Sequence, residues 1–531
     1  MEGPIDAKHG VTHFTYDFPP GTEIVAEDGH EEGIRYPMPT SDLSDPLNWS
    51  TTWKFVTYGS FLWYLFWVTF PYIGTTSMYA PFIKDLGFSV PAISSFTAWT
   101  GFMSGIGNFL WIPLASMFGR RPILLVSTLG SLAASAAFGH SSHYRTMLAC
   151  RIVLGFFMAP VECFAPMQIG DLFFTYQRGR LHSIFFITLL VSTNVGGALS
   201  GAFADISAYG WRSYYYFNAA MIASAFLILL AFLPETAYRR TAASSRGVHF
   251  DKSAGDVASE KEHALSKTSV VQSVDTTIDL IGRGAPSKVQ RFGFFAGRDS
   301  TYKPFNALLR VFQTAYIGPV WIAVGWFGAA KGILVGQNYV AAQIWQAPPY
   351  NFSNAQVGMT NIPAIVGTIS GAIFWGWLSD WDVARRTRNN GGVREPEMRL
   401  WPIIPGTIIG TAGGLIYGFG TQNQWSWKVI LIVGVTINFF GFLAPLVCAL
   451  SYSVDAYNRL GGEIGLLLAV CGNAWVFAIG YFVNNMLATR GFTVGLVLLM
   501  VPCWGMLLIT LVYLVYGKQC RRWTAGHPLL Q

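Results

Sequence analysis

Apolar and polar positions alternate along this chain in blocks, not in the short periods of a soluble fold. Twelve runs of about 20 mainly apolar residues can be read, each the length that spans ~30 Å of hydrocarbon as a helix. The first six lie near 55–79, 91–115, 122–140, 146–169, 181–204 and 212–233. The second six lie near 314–345, 357–378, 400–420, 427–450, 462–484 and 492–516. Between the sets, a stretch rich in Ser, Lys, Asp and Gly reads as disordered linker. Within it, 305–312 mixes apolar residues with Arg310 and predicts a short interfacial helix. The pattern predicts an all-α membrane protein, with a tail over 1–54, a six-helix bundle over 55–233, a linker over 234–313, a second bundle over 314–516 and a tail over 517–531.

Composition supports that division. Of 531 residues, 52% are hydrophobic and 12% charged, about half the charge of a soluble domain. The mean hydropathy of +0.39 agrees. A net charge of +7 raises nucleic acid as a partner, but Lys and Arg sit in short segments between apolar runs instead of on one face. With both termini cytoplasmic, the short inner loops hold ten basic residues and the outer loops five, the bias of the positive-inside rule. Lys518, Arg521 and Arg522 add to it. The sequon Asn351-Phe352-Ser353 then falls in an outer loop, as a candidate glycosylation site. The first fifty residues carry no apolar core, so the first span itself directs insertion. The six cysteines show no metal-ligand spacing, and no structural disulfide is expected.

Several function classes are excluded. No GxxxxGK[ST] phosphate loop occurs, which removes an ATPase engine. All nine histidines avoid the middle of a span, whereas a membrane oxidase needs several converging on metal or haem. No nucleophile, base and orienter set is present, so no enzyme and no cofactor are expected.

A charge at mid-bilayer costs at least ~2.5 kcal/mol, which makes each intramembrane charge a functional candidate. Three stand out: Arg151 and Glu162 in the fourth span and Lys331 in the seventh. Eleven residues, about three turns, put Arg151 and Glu162 on roughly one helical face, too far apart to pair. Glu162, in apolar surroundings, could carry a coupling proton, attract an organic cation, or simply pair with Lys331. Lys331 could bind a solute carboxylate or neutralise Glu162. Gln337 and Asn338 could contact a solute, although helix-to-helix hydrogen bonding is the commoner explanation of such amides. Asn194, Asn438 and Asn473 raise the same alternatives.

The loops are more specific. Leu114-Ala115-Ser116-Met117-Phe118-Gly119-Arg120-Arg121-Pro122 resembles the signature loop of the major facilitator superfamily, and Gly376-Trp377-Leu378-Ser379-Asp380 with Arg385 and Arg386 holds the equivalent place in the second half. The first copy departs from the pattern, with Ile112, Ser116 and Met117 where Gly, Asp and Arg are usual. Arg151-x-x-x-Gly155 looks like the family's fourth-span motif. The stretches Asp45 to Trp49, Leu233 to Arg239 and Arg394 to Trp401 look like its fungal multidrug and organic-solute branch. The fifth span keeps Gly196, Gly197 and Gly201 but lacks the proline usual in drug:proton antiporters.

The resemblance implies two bundles rocking about a central cavity lined by the first, fourth, seventh and tenth spans. It places Arg151, Glu162 and Lys331 on cavity helices, and Gly119, Arg120, Arg121, Gly376, Asp380, Arg385 and Arg386 in gating loops. It implies proton-coupled export of a drug-like compound or fungal metabolite by a monomer, with solute, proton and lipid as partners. The plasma membrane is the expected site, a vacuolar or vesicle membrane the alternative. Proton-coupled uptake of an organic cation or nutrient, a passive facilitator and a transport-dead sensor are the rival readings.

Overall fold

The computed structural model describes residues 19–24, 45–206, 209–236, 304–457 and 460–524. Most of the predicted linker lies outside these, as do parts of both predicted tails.

The helices of the first half are α1 (Thr51–Thr69), α2 (Tyr79–Leu86), α3 (Val90–Phe118), α4 (Arg120–His140), α5 (Tyr144–Met158), α6 (Pro160–Leu172), α7 (Thr175–Ile206) and α8 (Arg212–Phe232). Those of the second are α9 (Pro304–Thr314), α10 (Val320–Trp345), α11 (Asn354–Met359), α12 (Ile362–Asn389), α13 (Ile403–Gln422), α14 (Thr436–Ala456), α15 (Gly461–Arg490) and α16 (Phe492–Thr524). Eleven helical stretches among the described residues are long and apolar enough to cross a membrane. The one remaining predicted span, the first, is α1, of 19 residues, continued by a 3-10 turn at Gly74–Met78 and by α2. It is less apolar by composition because Trp, Tyr, Thr and Lys54 supply much of it.

Lipid-facing and central helices separate by burial. The apolar window of α10 is 89% buried, against 28% for α8 and 33% for α16. α10 therefore runs through the middle, while α8 and α16 turn Leu227, Leu508 and Val515 outward. Glycines permit the closest crossings: a Cβ at Gly105 of α3 would stand 3.1 Å from the Ala469 carbonyl of α15.

Irregularities cluster on central helices. The fourth span breaks at Ala159–Pro160, where proline supplies no N–H to the preceding turn and starts a new helix. The eighth breaks between Met359 and Ile362, and the tenth opens with a π-helical segment, Val429–Val435.

Both ends of the bundle join the halves. At the linker end, Arg180 of α7 meets Asp380 of α12 at 3.6 Å. At the opposite end, Asp205 of α7 accepts from the Asn354 amide at 2.7 Å and the Ala355 N–H at 2.8 Å.

The last helix extends past residue 516 to Thr524 because Arg521 is wholly buried. Its guanidinium pairs with both Glu397 oxygens at 2.7 and 2.6 Å and donates to the Pro20 carbonyl and the Thr22 hydroxyl. The segment it holds forms a two-residue antiparallel ladder, Glu23 opposite Arg394 and Ile24 opposite Val393. Gly21 has φ +82°, and a Cβ there would lie 2.7 Å from the Ala456 Cα, so only glycine fits.

Candidate functional site

The break at Ala159–Pro160 sets Glu162 in the first turn of α6, where the helix dipole favours a carboxylate. From the second half, α10 brings Lys331 and α15 brings Asn473 against it. The Lys331 ammonium donates to Glu162 Oε1 and, at 2.6 Å, to Asn473 Oδ1. The Asn473 amide donates to Glu162 Oε2 at 2.8 Å, closing a three-membered ring of hydrogen bonds. Glu162 and Lys331 are 5% and 8% exposed, so both charges have left water and depend on one another. The Phe327 ring lies 4.9 Å from the ammonium. The ion pair thus crosses from one half of the protein to the other at mid-span.

Arg151 lies apart from this centre. It is buried within the first half, donating to the Pro71 carbonyl and the Tyr215 hydroxyl, both at 2.7 Å. The Phe138 and Tyr215 rings cover it at 4.7 and 5.4 Å. Its acceptors are neutral and all belong to its own half.

Gln337 and Asn338, about two turns from Lys331 on α10, line a separate narrow cleft. Asn194 of α7, Asn361 at the α11–α12 break, Trp345 and Tyr417 share its wall. Gln337 donates to Asn438 Oδ1 at 3.1 Å, and Asn338 donates to the Leu334 carbonyl at 3.1 Å.

The two signature loops are placed differently. In the first, Glu235 caps α4, accepting from the backbone N–H groups of Arg120 at 2.9 Å and Arg121 at 3.1 Å. Gly119 has φ +95° and hugs the same carboxylate. Arg120 pairs with Asp171, while the Arg121 side chain donates to the carbonyls of Leu230 and Leu233. Asp171, Leu230 and Leu233 lie in the first half and Glu235 at the start of the linker, so none of these partners comes from the second half. In the second loop, Asp380 faces Arg180 of the first half and stands 3.5 Å from Arg399. Arg399 in turn binds Asp455 at 2.6 Å, and Arg394 reaches the same carboxylate at 3.2 Å. Gly376 packs on Ser183 of α7, where a Cβ would stand 2.9 Å from its hydroxyl. Arg385 lies over Trp381, and Arg386 pairs with Asp382 at 2.8 Å beneath Trp401.

Asn351 is exposed in the turn between α10 and α11, at the end opposite the linker. Ser353 of the same sequon caps α11 in a reciprocal box with Gln356.

Sequence reasoning did not place Asn473, Asp455 or Glu235 in any site. Asn473 stood only among other in-span amides, and Asp455 follows the end of the tenth apolar run. Glu235 was visible as part of Leu233 to Arg239, without a partner.

Comparison with known proteins agrees with the architecture. The sequence model of the Major Facilitator Superfamily matches residues 55–459. Protein HOL1 of Saccharomyces cerevisiae is 25% identical over 96% of this chain and 96% of its own. An Aspergillus flavus protein named "Probable efflux pump mfs2" is 23% identical over 77% of this chain and 88% of its own. Among solved structures, the human organic anion transporter MFSD10 (TETRAN) superposes with a TM-score of 0.51 at 16% identity, covering 88% of this chain and all of that one. The chain belongs to the major facilitator superfamily, as a multi-pass membrane transporter of small-molecule solutes and not an enzyme.

Proposed function

We propose that the protein exports a small organic solute in exchange for protons, and that Glu162 carries the coupling proton. The supporting observation is that the charged contact between the halves at mid-membrane rests on a titratable group. With Glu162 ionised, Lys331 and Asn473 close on it and hold α6 against α10 and α15. Protonating Glu162 removes the charge that Lys331 was drawn to, and the two halves lose their central tie. A proton arriving from one side and leaving to the other would then be linked to rocking of the bundles. Asp380 and Arg180 latch the linker end in the same reading, and Asp205 with Asn354 the opposite end.

Export is favoured because a protein named as a probable efflux pump stands among the relatives, and the basic inner loops put the linker end in the cytoplasm. The plasma membrane is then the working site, with Asn351 outside and open to glycosylation; a glycosidase-sensitive mobility shift lost in Asn351→Gln tests that part. Uptake is the second reading, favoured by the absent proline of the fifth span. There Gly201 lies against the backbone of Asn354 and Gly197 against the Asn361 amide.

The deciding experiment compares accumulation of a panel of toxic organic compounds in cells with and without the protein, at two external pH values. Lower accumulation, abolished by a protonophore, is the expected result. Higher accumulation establishes uptake, and flux indifferent to the protonophore establishes a facilitator.

A further inference from the structure

We infer that the N-terminal segment of residues 19–24 is a positioning element for closure of the linker end. It braces, from within the second half, the residues on which α7 of the first half seats. The inference rests on reading that end as a latch, and neither on the direction of transport nor on proton coupling.

The seat is built from charged side chains, and α7 meets it through a glycine. A Cβ at Gly179 would stand 2.9 Å from Arg399 Nη1 and 3.0 Å from Asp380 Oδ1, so the α7 backbone lies directly on that pair. Arg399 is buried and held by Asp455 at 2.6 Å, a carboxylate that Arg394 also grips at 3.2 Å. Neither Arg399 nor Asp455 stands on firm backbone of its own. Arg399 belongs to the short 3-10 turn Pro396–Leu400, whose hydrogen bonds are poorer than those of an α-helix. Asp455 lies in the last turn of α14, where carbonyls run out of helical partners.

Residues 19–24 hold both places. Arg521, wholly buried, binds both Glu397 oxygens at 2.7 and 2.6 Å, a bidentate pair of fixed geometry. Its remaining nitrogen donates to the Pro20 carbonyl and, at 3.1 Å, to the Thr22 hydroxyl. Glu397 is two residues before Arg399 in the same 3-10 turn. Gly21 presses on the end of α14: a Cβ there would lie 2.8 Å from the Asp455 carbonyl oxygen and 2.7 Å from the Ala456 Cα. Glu23 and Ile24 pair with Arg394 and Val393, which fixes the backbone of the arginine that grips Asp455. Each of the three anchors therefore ends within two residues of Arg394, Arg399 or Asp455.

Chain order would give residues 19–24 to the first half, whose α1 follows them, yet their contacts are with the second. Those contacts run through carbonyls, a hydroxyl, a backbone ladder and a glycine that has no Cβ. They fix backbone against backbone, as a brace does. A seat fixed beforehand has less freedom left to lose when α7 settles on it, so the docked segment favours the closed linker end. Without the segment, the 3-10 turn and the end of α14 regain that freedom, and the balance moves toward opening.

The test is alkylation of the native cysteines by N-ethylmaleimide in membranes, read cysteine by cysteine by peptide mass spectrometry. Cys448 is wholly buried in α14, about two turns before Asp455 and within electrostatic reach of Arg399 and Asp380, so it reports uncovering of the seat. Cys503, buried in α16, reports general loosening of the second half. Two variants leave the bundles' own sequence intact: deletion of residues 1–24, and Gly21→Val, whose side chain has no room. Each is expected to speed alkylation of Cys448 about fivefold, in step with the larger open population, and to leave Cys503 unchanged. Gly179→Val pushes α7 off Arg399 directly and should speed Cys448 whatever the segment does. No response to Gly179→Val would overturn the latch reading and this inference with it. A response to Gly179→Val with none to either tail variant would overturn the inference alone. Cys448 and Cys503 quickening together would make the segment a part of the fold only, and would overturn it too. Neither solute nor gradient enters the measurement, so failure of proton-coupled export would leave its result untouched.

Discussion

Arg151 and Lys331 are both cations buried in the membrane region, and the protein holds them in opposite ways. Arg151 is surrounded by a backbone carbonyl, a phenol and two aromatic faces, all from the first half. None of these changes charge near neutral pH, so the arrangement is fixed as long as the half is folded. Lys331 instead faces a carboxylate and an amide, with the carboxylate on the other half. Its attraction vanishes when one proton arrives. A buried cation on neutral acceptors is part of a bundle's framework, whereas one on a titratable acid across a moving boundary can act as a switch.

The comparison is broken most severely by Arg151→Met. It strands the Pro71 carbonyl and Tyr215 hydroxyl and opens a gap between two rings, at a cost of roughly 3–5 kcal/mol. The thermal midpoint of the purified protein should fall by several degrees. Arg151→Lys should recover only part, because an ammonium lacks the planar fork that reaches both acceptors beneath the rings.

Lys331→Met is the next largest perturbation, since it leaves Glu162 buried and uncompensated at a cost of about 3 kcal/mol. Adding Glu162→Gln should restore most of the lost stability by removing the stranded charge, giving a folded protein without pH-dependent flux. Both melting and flux are to be measured in the double variant, and a double variant less stable than Lys331→Met would contradict the switch.

Arg180→Ala should have the smallest effect. Its side chain is 82% exposed, so its pair with Asp380 is worth at most ~1 kcal/mol. Flux should change by less than about fivefold, with melting unaltered.

The membrane fold was legible because twenty-residue apolar blocks admit few other structures. The separation of Arg151 and Glu162 was legible as well: they do not pair, and each takes its partners from elsewhere. The role of the first signature loop was hidden. Ser116, which among the described residues bonds only back to Ile112, replaces the usual acid, and the carboxylate that caps α4 comes from Glu235, more than a hundred residues later. Asn473 likewise meets Glu162 across 311 positions, a distance over which no periodicity speaks. Local pattern identifies which polar residues the membrane contains; only the packing shows which of them face each other across the two halves.

The central claim is that the mid-membrane tie between the halves is broken and remade by a proton on Glu162. Solute flux of Glu162→Gln at external pH 5.5 and 7.5, beside the unmodified protein, tests it most directly. The account predicts a variant that folds but melts several degrees lower, because Lys331 is left buried without its counter-charge, and that transports at least about tenfold more slowly, with no difference between the two pH values. A variant that keeps both the rate and the pH dependence of the unmodified protein would contradict it.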